Sequence, residues 1–231
     1  MKSFLLPFLF FILSTFVYGE SQKGYLIALT GISGCGKSTL AKELAGICNA
    51  DLFLEPEEDQ WPDFVRDKQP YSEFSTYTCI RGFRAHALWN AWDRKEQGQL
   101  VFTDSFYDKI TSYYLGNPGM EWLIPHDDPY YACIELLSQI DTATLPNPNC
   151  IILIDISFED WLKALAIRNR TRDSLDGFKK NYELYRSYIK EAVETLCRDK
   201  KIKLIFFTNK LEDPKQEASS LLSLLKSENL F

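Results

Sequence analysis

The residues Gly31-Ile32-Ser33-Gly34-Cys35-Gly36-Lys37-Ser38-Thr39 carry the spacing G-x-x-x-x-G-K-S. Glycines allow backbone conformations and close approaches that a Cβ would block, so the freed N–H groups can turn toward a chain of phosphates. In such a loop Lys37 reaches the β- and γ-phosphates of ATP, and the Ser38 hydroxyl binds Mg²⁺. Cys35 reads as a filler position and not as a nucleophile. The alternative is a glycine-rich turn with no ligand. Against it stands the context the motif requires: the apolar run Tyr25–Thr30 before the loop, and Thr39-Leu40-Ala41-Lys42-Glu43-Leu44-Ala45 after it.

Other candidates fall at the ends of apolar runs. Glu55 closes Asp51-Leu52-Phe53-Leu54 and could accept a proton from an attacking hydroxyl. A surface acid is its alternative. Asp104 closes Gln99-Leu100-Val101-Phe102-Thr103 and suits a Mg²⁺-supporting carboxylate, a helix N-cap being the compatible alternative. Arg168, Arg170 and Arg172 alternate after a helical stretch. Facing a triphosphate they would neutralise charge on the transferring group; in a solvated loop they would be ordinary. His126-Asp127-Asp128 is flanked by Pro125 and Pro129 and reads as a polar loop before a metal site.

The elements that must position these residues alternate. The periodicity predicts strands over 25–30, 51–54, 99–104, 150–155 and 203–208. It predicts helices over 37–48, 73–97, 106–115, 129–140, 158–167, 175–198 and 213–227, with Ser157 as a cap. Strand and helix in alternation mean an α/β fold, a three-layer P-loop NTPase sandwich with a parallel sheet of about five strands and helices on both faces. Its site belongs at the carboxyl ends of the strands, where the loop, Glu55, Asp104 and Asp155 all fall.

Composition narrows the function. A chain of 231 residues with 45% hydrophobic content builds one sizeable core. A net charge of −6 argues against a nucleic-acid binder. The six cysteines have no C-x-x-C spacing and are expected reduced and mostly buried. Residues 1–20 conflict with a cytosolic reading. Lys2 precedes an apolar block, and Val17-Tyr18-Gly19 ends it with small residues, which resembles a signal peptide or an N-terminal anchor ahead of one domain over 21–231. The expectation is export or membrane anchoring, or a cytoplasmic protein if translation starts downstream. Asn169-Arg170-Thr171 is also a glycosylation sequon, or a chance match.

From Tyr25 to Tyr188 the chain resembles the deoxynucleoside kinases and, more distantly, the thymidylate kinases. The resemblance rests on Glu55-Pro56 with Trp61, on the helix Phe74-Ser75-Thr76-Tyr77-Thr78-Cys79-Ile80-Arg81-Gly82-Phe83-Arg84-Ala85, on Ser105-Phe106-Tyr107, and on the lid-like Arg168-Asn169-Arg170-Thr171-Arg172-Asp173. It implies ATP-dependent phosphorylation of a (deoxy)nucleoside sugar hydroxyl, with Mg²⁺. Glu55 would be the base, Arg168 and Arg170 would serve the phosphates, and Asp173 would hold the other sugar hydroxyl. Trp61 and Phe83 would wall the base pocket, with Ser75 and Arg84 beside the substrate. The family also implies a possible homodimer. Two positions depart from it: Ser75 replaces a base-reading glutamine, and Thr103-Asp104-Ser105 stands for the family's Glu-Arg-Ser after strand three, so an arginine expected near the attacking oxygen is missing. Arg81 or Arg84 could supply that cation from the helix. The alternatives are a nucleoside monophosphate kinase, which would need cations near Arg81 and Arg84 for the acceptor phosphate, and a catalytically weak exported nucleotide-binding module.

Overall fold

The computed structural model describes residues 23–66, 73–121, 123–168 and 175–230. The leader at 1–20, Arg170, Arg172, Asp173 and the sequon at Asn169 therefore lie outside the described residues. No helix among the described residues is long and apolar enough to cross a membrane.

Five strands form one sheet: β1 (Tyr25–Thr30), β2 (Asp51–Phe53), β3 (Leu100–Thr103), β4 (Cys150–Ile156) and β5 (Lys203–Asn209). The order is β2-β3-β1-β4-β5, and every pairing is parallel. β1 and β4 are central and almost wholly buried, which is why they read as unbroken apolar runs with no alternation. The helices are α1 (Lys37–Cys48), α2 (Asp63–Arg66), α3 (Glu73–Glu96), α4 (Tyr131–Thr144), α5 (Phe158–Arg168), α6 (Leu175–Lys200) and α7 (Pro214–Ser227). α1 packs on β1, β2, β3 and α7; α3 covers β1, β2 and β3; α6 covers β4 and β5. Right-handed crossovers place α1 and α7 on one face and α3 and α6 on the other. Ser157 caps α5 as expected: its Oγ accepts from the Asp160 N–H at 3.1 Å. All six cysteines are free, with Cys35, Cys150 and Cys197 buried and Cys133 exposed.

One expected helix is absent. Residues 106–115 form turns with a single 3₁₀ stretch at Thr111–Tyr113. Tertiary contacts override the local pattern here. Asp108 is drawn to Arg84 at 2.8 Å, and Lys109 is buried with its ammonium donating to the Leu145 carbonyl. Tyr107 caps the turn, its carbonyl accepting from the N–H groups of Ile110 and Thr111 at 2.9 Å. α4 also begins two residues after Pro129, because Asp128 Oδ1 and the Asp128 carbonyl take the N–H groups of Tyr130 and Tyr131. His126 likewise is engaged locally: its Nε2 contacts the Gly116 carbonyl and its ring packs on Tyr131.

Burial lowers the Lys109 ammonium to about 8, with the charge of Lys200 acting in the same direction. Between pH 8 and 10.5 the folded chain therefore holds fewer protons at this site than the unfolded chain, so its contribution to stability rises with pH across that window. Unfolding titrations of wild type and Lys109→Met should converge or cross in the wild type's favour from pH 8 to 10. A difference independent of pH would contradict a lowered ammonium.

Candidate functional site

The loop at the end of β1 is shaped by its glycines. A Cβ on Gly31 would lie 2.3 Å from the Ile154 carbonyl oxygen, and one on Gly36, at φ +94°, would lie 2.3 Å from Asn209 Nδ2. Lys37 is buried within this loop. Its Nζ donates to the carbonyls of Gly31 at 3.2 Å and Ile32 at 3.0 Å, and stands 3.9 Å from Cys35 Sγ. The ammonium is thus held under the loop before any phosphate arrives. Cys35 is fully buried and its thiol is pushed up by that burial, in keeping with a filler role.

Three neighbours pin the loop: α5, the end of β5 and the segment after β3. Trp161 Nε1 of α5 donates to the Ser33 carbonyl at 2.7 Å, and Arg168 Nη1, at the end of the same helix, donates to Ser33 Oγ at 2.9 Å. Asn209 Nδ2 at the end of β5 donates to the Cys35 carbonyl at 2.9 Å, and its Oδ1 accepts from the Leu211 N–H at 3.0 Å. Tyr107, in the turn after β3, donates its hydroxyl to the Gly31 carbonyl at 2.6 Å. At the head of α1, the Ser38 hydroxyl donates to Asp104 Oδ2.

Asp104 joins that contact to the other half of the site, since its Oδ1 accepts the Glu55 N–H at 2.8 Å. Burial pushes the Asp104 carboxyl up, while the Ser38 hydroxyl, the Glu55 N–H and the Lys37 charge hold it down. Glu55 Oε2 accepts from Ser105 Oγ at 2.5 Å, and Oε1 lies 3.6 Å from Arg84 Nη1. Arg84 in turn donates from Nε and Nη2 to the two oxygens of Asp108, both at 2.8 Å. Burial pushes the Asp108 carboxyl up against the pull of the guanidinium. Burial works to lower Arg84, but Asp108 and Glu55 outweigh it, and the guanidinium is held well above its usual value. Arg81, the other helix cation, is bidentate on Asp141 at 2.6 and 2.5 Å.

Glu55 and the loop open on a cleft of about 470 Å³, lined by Ser33, Gly34, Gly36, Lys37, Ser38, Thr39, Glu55, Ser105, Tyr107, Arg168 and Asn209 among others, while Asp104 and Arg84 lie behind it. The loop, the base candidate and one lid arginine therefore share one wall system. Trp61, Ser75 and Phe83 do not line it. Trp61 is buried, its Nε1 donating to the Pro56 carbonyl at 2.9 Å, and Ser75 lies in the first turn of α3. Residues 67–72, between α2 and α3, are outside the described residues, as are Arg170 and Asp173. Sequence reasoning passed over Trp161, Asn209 and Asp108, and it named Ser105 and Tyr107 only within a motif, with no role for either hydroxyl. Of these only Asn209 and Ser105 carried a signal, each standing at the carboxyl end of a parallel strand.

No family model matches the chain. It is 28% identical over 192 residues to the deoxyadenosine kinase of Dictyostelium discoideum, covering 78% of this chain and 74% of that one. It is 24% identical to a probable thymidylate kinase of Pyrococcus abyssi, over 90% of this chain and 99% of that one, and 24% identical to the deoxyguanosine kinase of Lactobacillus johnsonii, over 65% and 66%. Among solved structures, the deoxyadenosine kinase of M. mycoides with bound dATP superimposes with a TM-score of 0.62 at 18% identity, over 87% of this chain and 99% of that one. The thymidylate kinase of Candida albicans superimposes with a TM-score of 0.62 at 17% identity, over 90% and 93%. The chain is a P-loop phosphotransferase with deoxynucleoside and thymidylate kinases among its relatives. The five-stranded parallel sheet and its helices match those of the neighbouring kinase structures. Its glycine loop has the spacing that such enzymes use for a nucleoside triphosphate.

Because Gly36 combines φ +94° with a backbone-close neighbour in Asn209, a side chain there strains the loop and breaks the contact to the Cys35 carbonyl. Gly36→Ala should weaken ATP binding by roughly five- to a hundredfold, the equivalent of about 1–3 kcal/mol of backbone strain. Calorimetric titration with ATP checks this, and an unchanged dissociation constant would contradict it.

Proposed function

We propose that this kinase transfers the γ-phosphoryl group of ATP to the sugar hydroxyl of a (deoxy)nucleoside, giving the 5′-monophosphate and ADP. One observation carries the reading: the Glu55 carboxylate stands in the same cleft as Lys37 and Ser38, held on one oxygen by Ser105 and faced on the other by Arg84. The acceptor oxygen attacks the γ-phosphorus, the bond from that phosphorus to the ADP oxygen breaks, and the hydroxyl proton passes to Glu55. Lys37 and Arg168 offset charge on the phosphates, with Arg170 as a further lid cation and Asp173 on the second sugar hydroxyl by the family resemblance. The Ser38 hydroxyl and Asp104 carboxylate are in direct contact and offer the oxygen donors a hard cation takes. They would hold Mg²⁺, which supplies charge neutralisation on the triphosphate.

The charge pattern supports a nucleoside over a monophosphate acceptor. A second phosphate beside Glu55 would need a cation to meet it. Arg84 is already engaged by Asp108 and Glu55, and Arg81 by Asp141. The likeness to thymidylate kinases keeps the monophosphate reading as the second one.

Acceptor-dependent ADP release, measured over a panel of nucleosides and nucleoside monophosphates, tests both readings. We expect turnover with nucleosides, and turnover with monophosphates alone would replace the proposal by its rival. Glu55→Gln should keep ATP affinity and lose about 10²–10⁴-fold in kcat. Wild-type kcat in that variant would remove Glu55 from the mechanism.

A further inference from the structure

Glu55 is restrained more closely than a surface base needs to be. Its N–H donates to Asp104, its Oε2 accepts from Ser105, and its Oε1 faces the one terminal nitrogen of Arg84 that Asp108 leaves unused. Ser105 is a serine at φ +58°, a left-handed conformation that favours glycine. The strained backbone carries the hydroxyl to Glu55 and so has a local readout in the site. Asp108 is buried, does not line the cleft, and spends both oxygens on Arg84. It lines a small pocket of about 10 Å³ behind the site, with Arg84, Asp104, Ser105 and Lys109. Whatever Asp108 contributes to the reaction therefore passes through Arg84.

We propose that Ser105 and Asp108 are positioning residues for the base: Ser105 aims Glu55 through Oε2, and Asp108 clamps Arg84 against Oε1. The proposal rests on the nucleoside kinase reading, since it takes Glu55 as the group that accepts the proton. It adds two residues to that reading and predicts that their effects depend on Glu55.

The discriminating variant is Ser105→Gly. Glycine suits φ +58°, so a purely structural Ser105 would lose nothing, and the fold should melt at the wild-type temperature or above. A positioning Ser105 loses the hydroxyl, and kcat should fall about tenfold or more while KM for ATP stays within twofold. Asp108→Asn keeps the shape but removes the charge that clamps Arg84, and should show the same split between kcat and KM. In a Glu55→Gln background neither change should lower kcat further, because the group they aim is already gone. Wild-type kcat in Ser105→Gly, or full multiplicative losses on top of Glu55→Gln, would overturn the proposal. If Asp108→Asn fails to fold, the Ser105→Gly cycle alone decides. A wild-type enzyme that phosphorylates no nucleoside would instead fail the underlying reading and take this inference with it. An active wild type with an unaffected Ser105→Gly fails this inference alone.

Discussion

The Asp104 carboxylate is the contact on which the site depends. One oxygen takes the Ser38 hydroxyl at the head of α1, and the other takes the Glu55 N–H at the end of β2. A buried carboxylate is costly unless its lone pairs are satisfied, and Asp104 is nearly inaccessible. The two donors are therefore not optional, and they tie the glycine loop and Glu55 to one point just past β3. β3 lies between β2 and β1 in the sheet, so a single strand end reaches both neighbours. Parallel strands bring their carboxyl ends to the same edge, and the site is the consequence.

Charge is arranged around that contact so that little of it must be rearranged when substrates bind. Lys37 is satisfied by loop carbonyls, Arg84 by Asp108, and Arg81 by Asp141. At the far side, Arg186 of α6 is bidentate on Asp155 at 2.6 and 2.5 Å, tying the long helix to the end of β4. Dipoles and charges fixed in advance cost no reorganisation at the moment of transfer, which is the main contribution a protein makes to phosphoryl transfer. Lys37, the loop N–H groups and Arg168 stand along the described part of the cleft.

The fold was legible because its signals are local and redundant. β1 and β4 are apolar runs bounded by turns, and α1 occupies the span its sequence predicts, Lys37–Cys48. The other strands and helices deviate at their ends, by one residue at most in the strands and up to four in α4, where side chains and caps set the boundary. Residues 106–115 were misread because apolar spacing there serves contacts made in three directions at once: Tyr107 to the loop, Asp108 to α3 and Lys109 to Leu145. Helical periodicity assumes that neighbours in sequence face one surface, and this segment has several.

By itself the sequence determined the phosphate loop, the parallel α/β sheet and the carboxylates at the strand ends. Those features follow from spacing within a few residues, where a G-x-x-x-x-G-K-S stretch stands between an apolar run and a helix. Only the tertiary structure decided which cation faces Glu55. Arg81 and Arg84 sit three residues apart on one helix and look alike in sequence. Asp141 of α4 captures the first and Asp108 of the β3 turn turns the second toward Glu55, because the partner of a buried charge is chosen by packing and not by sequence separation.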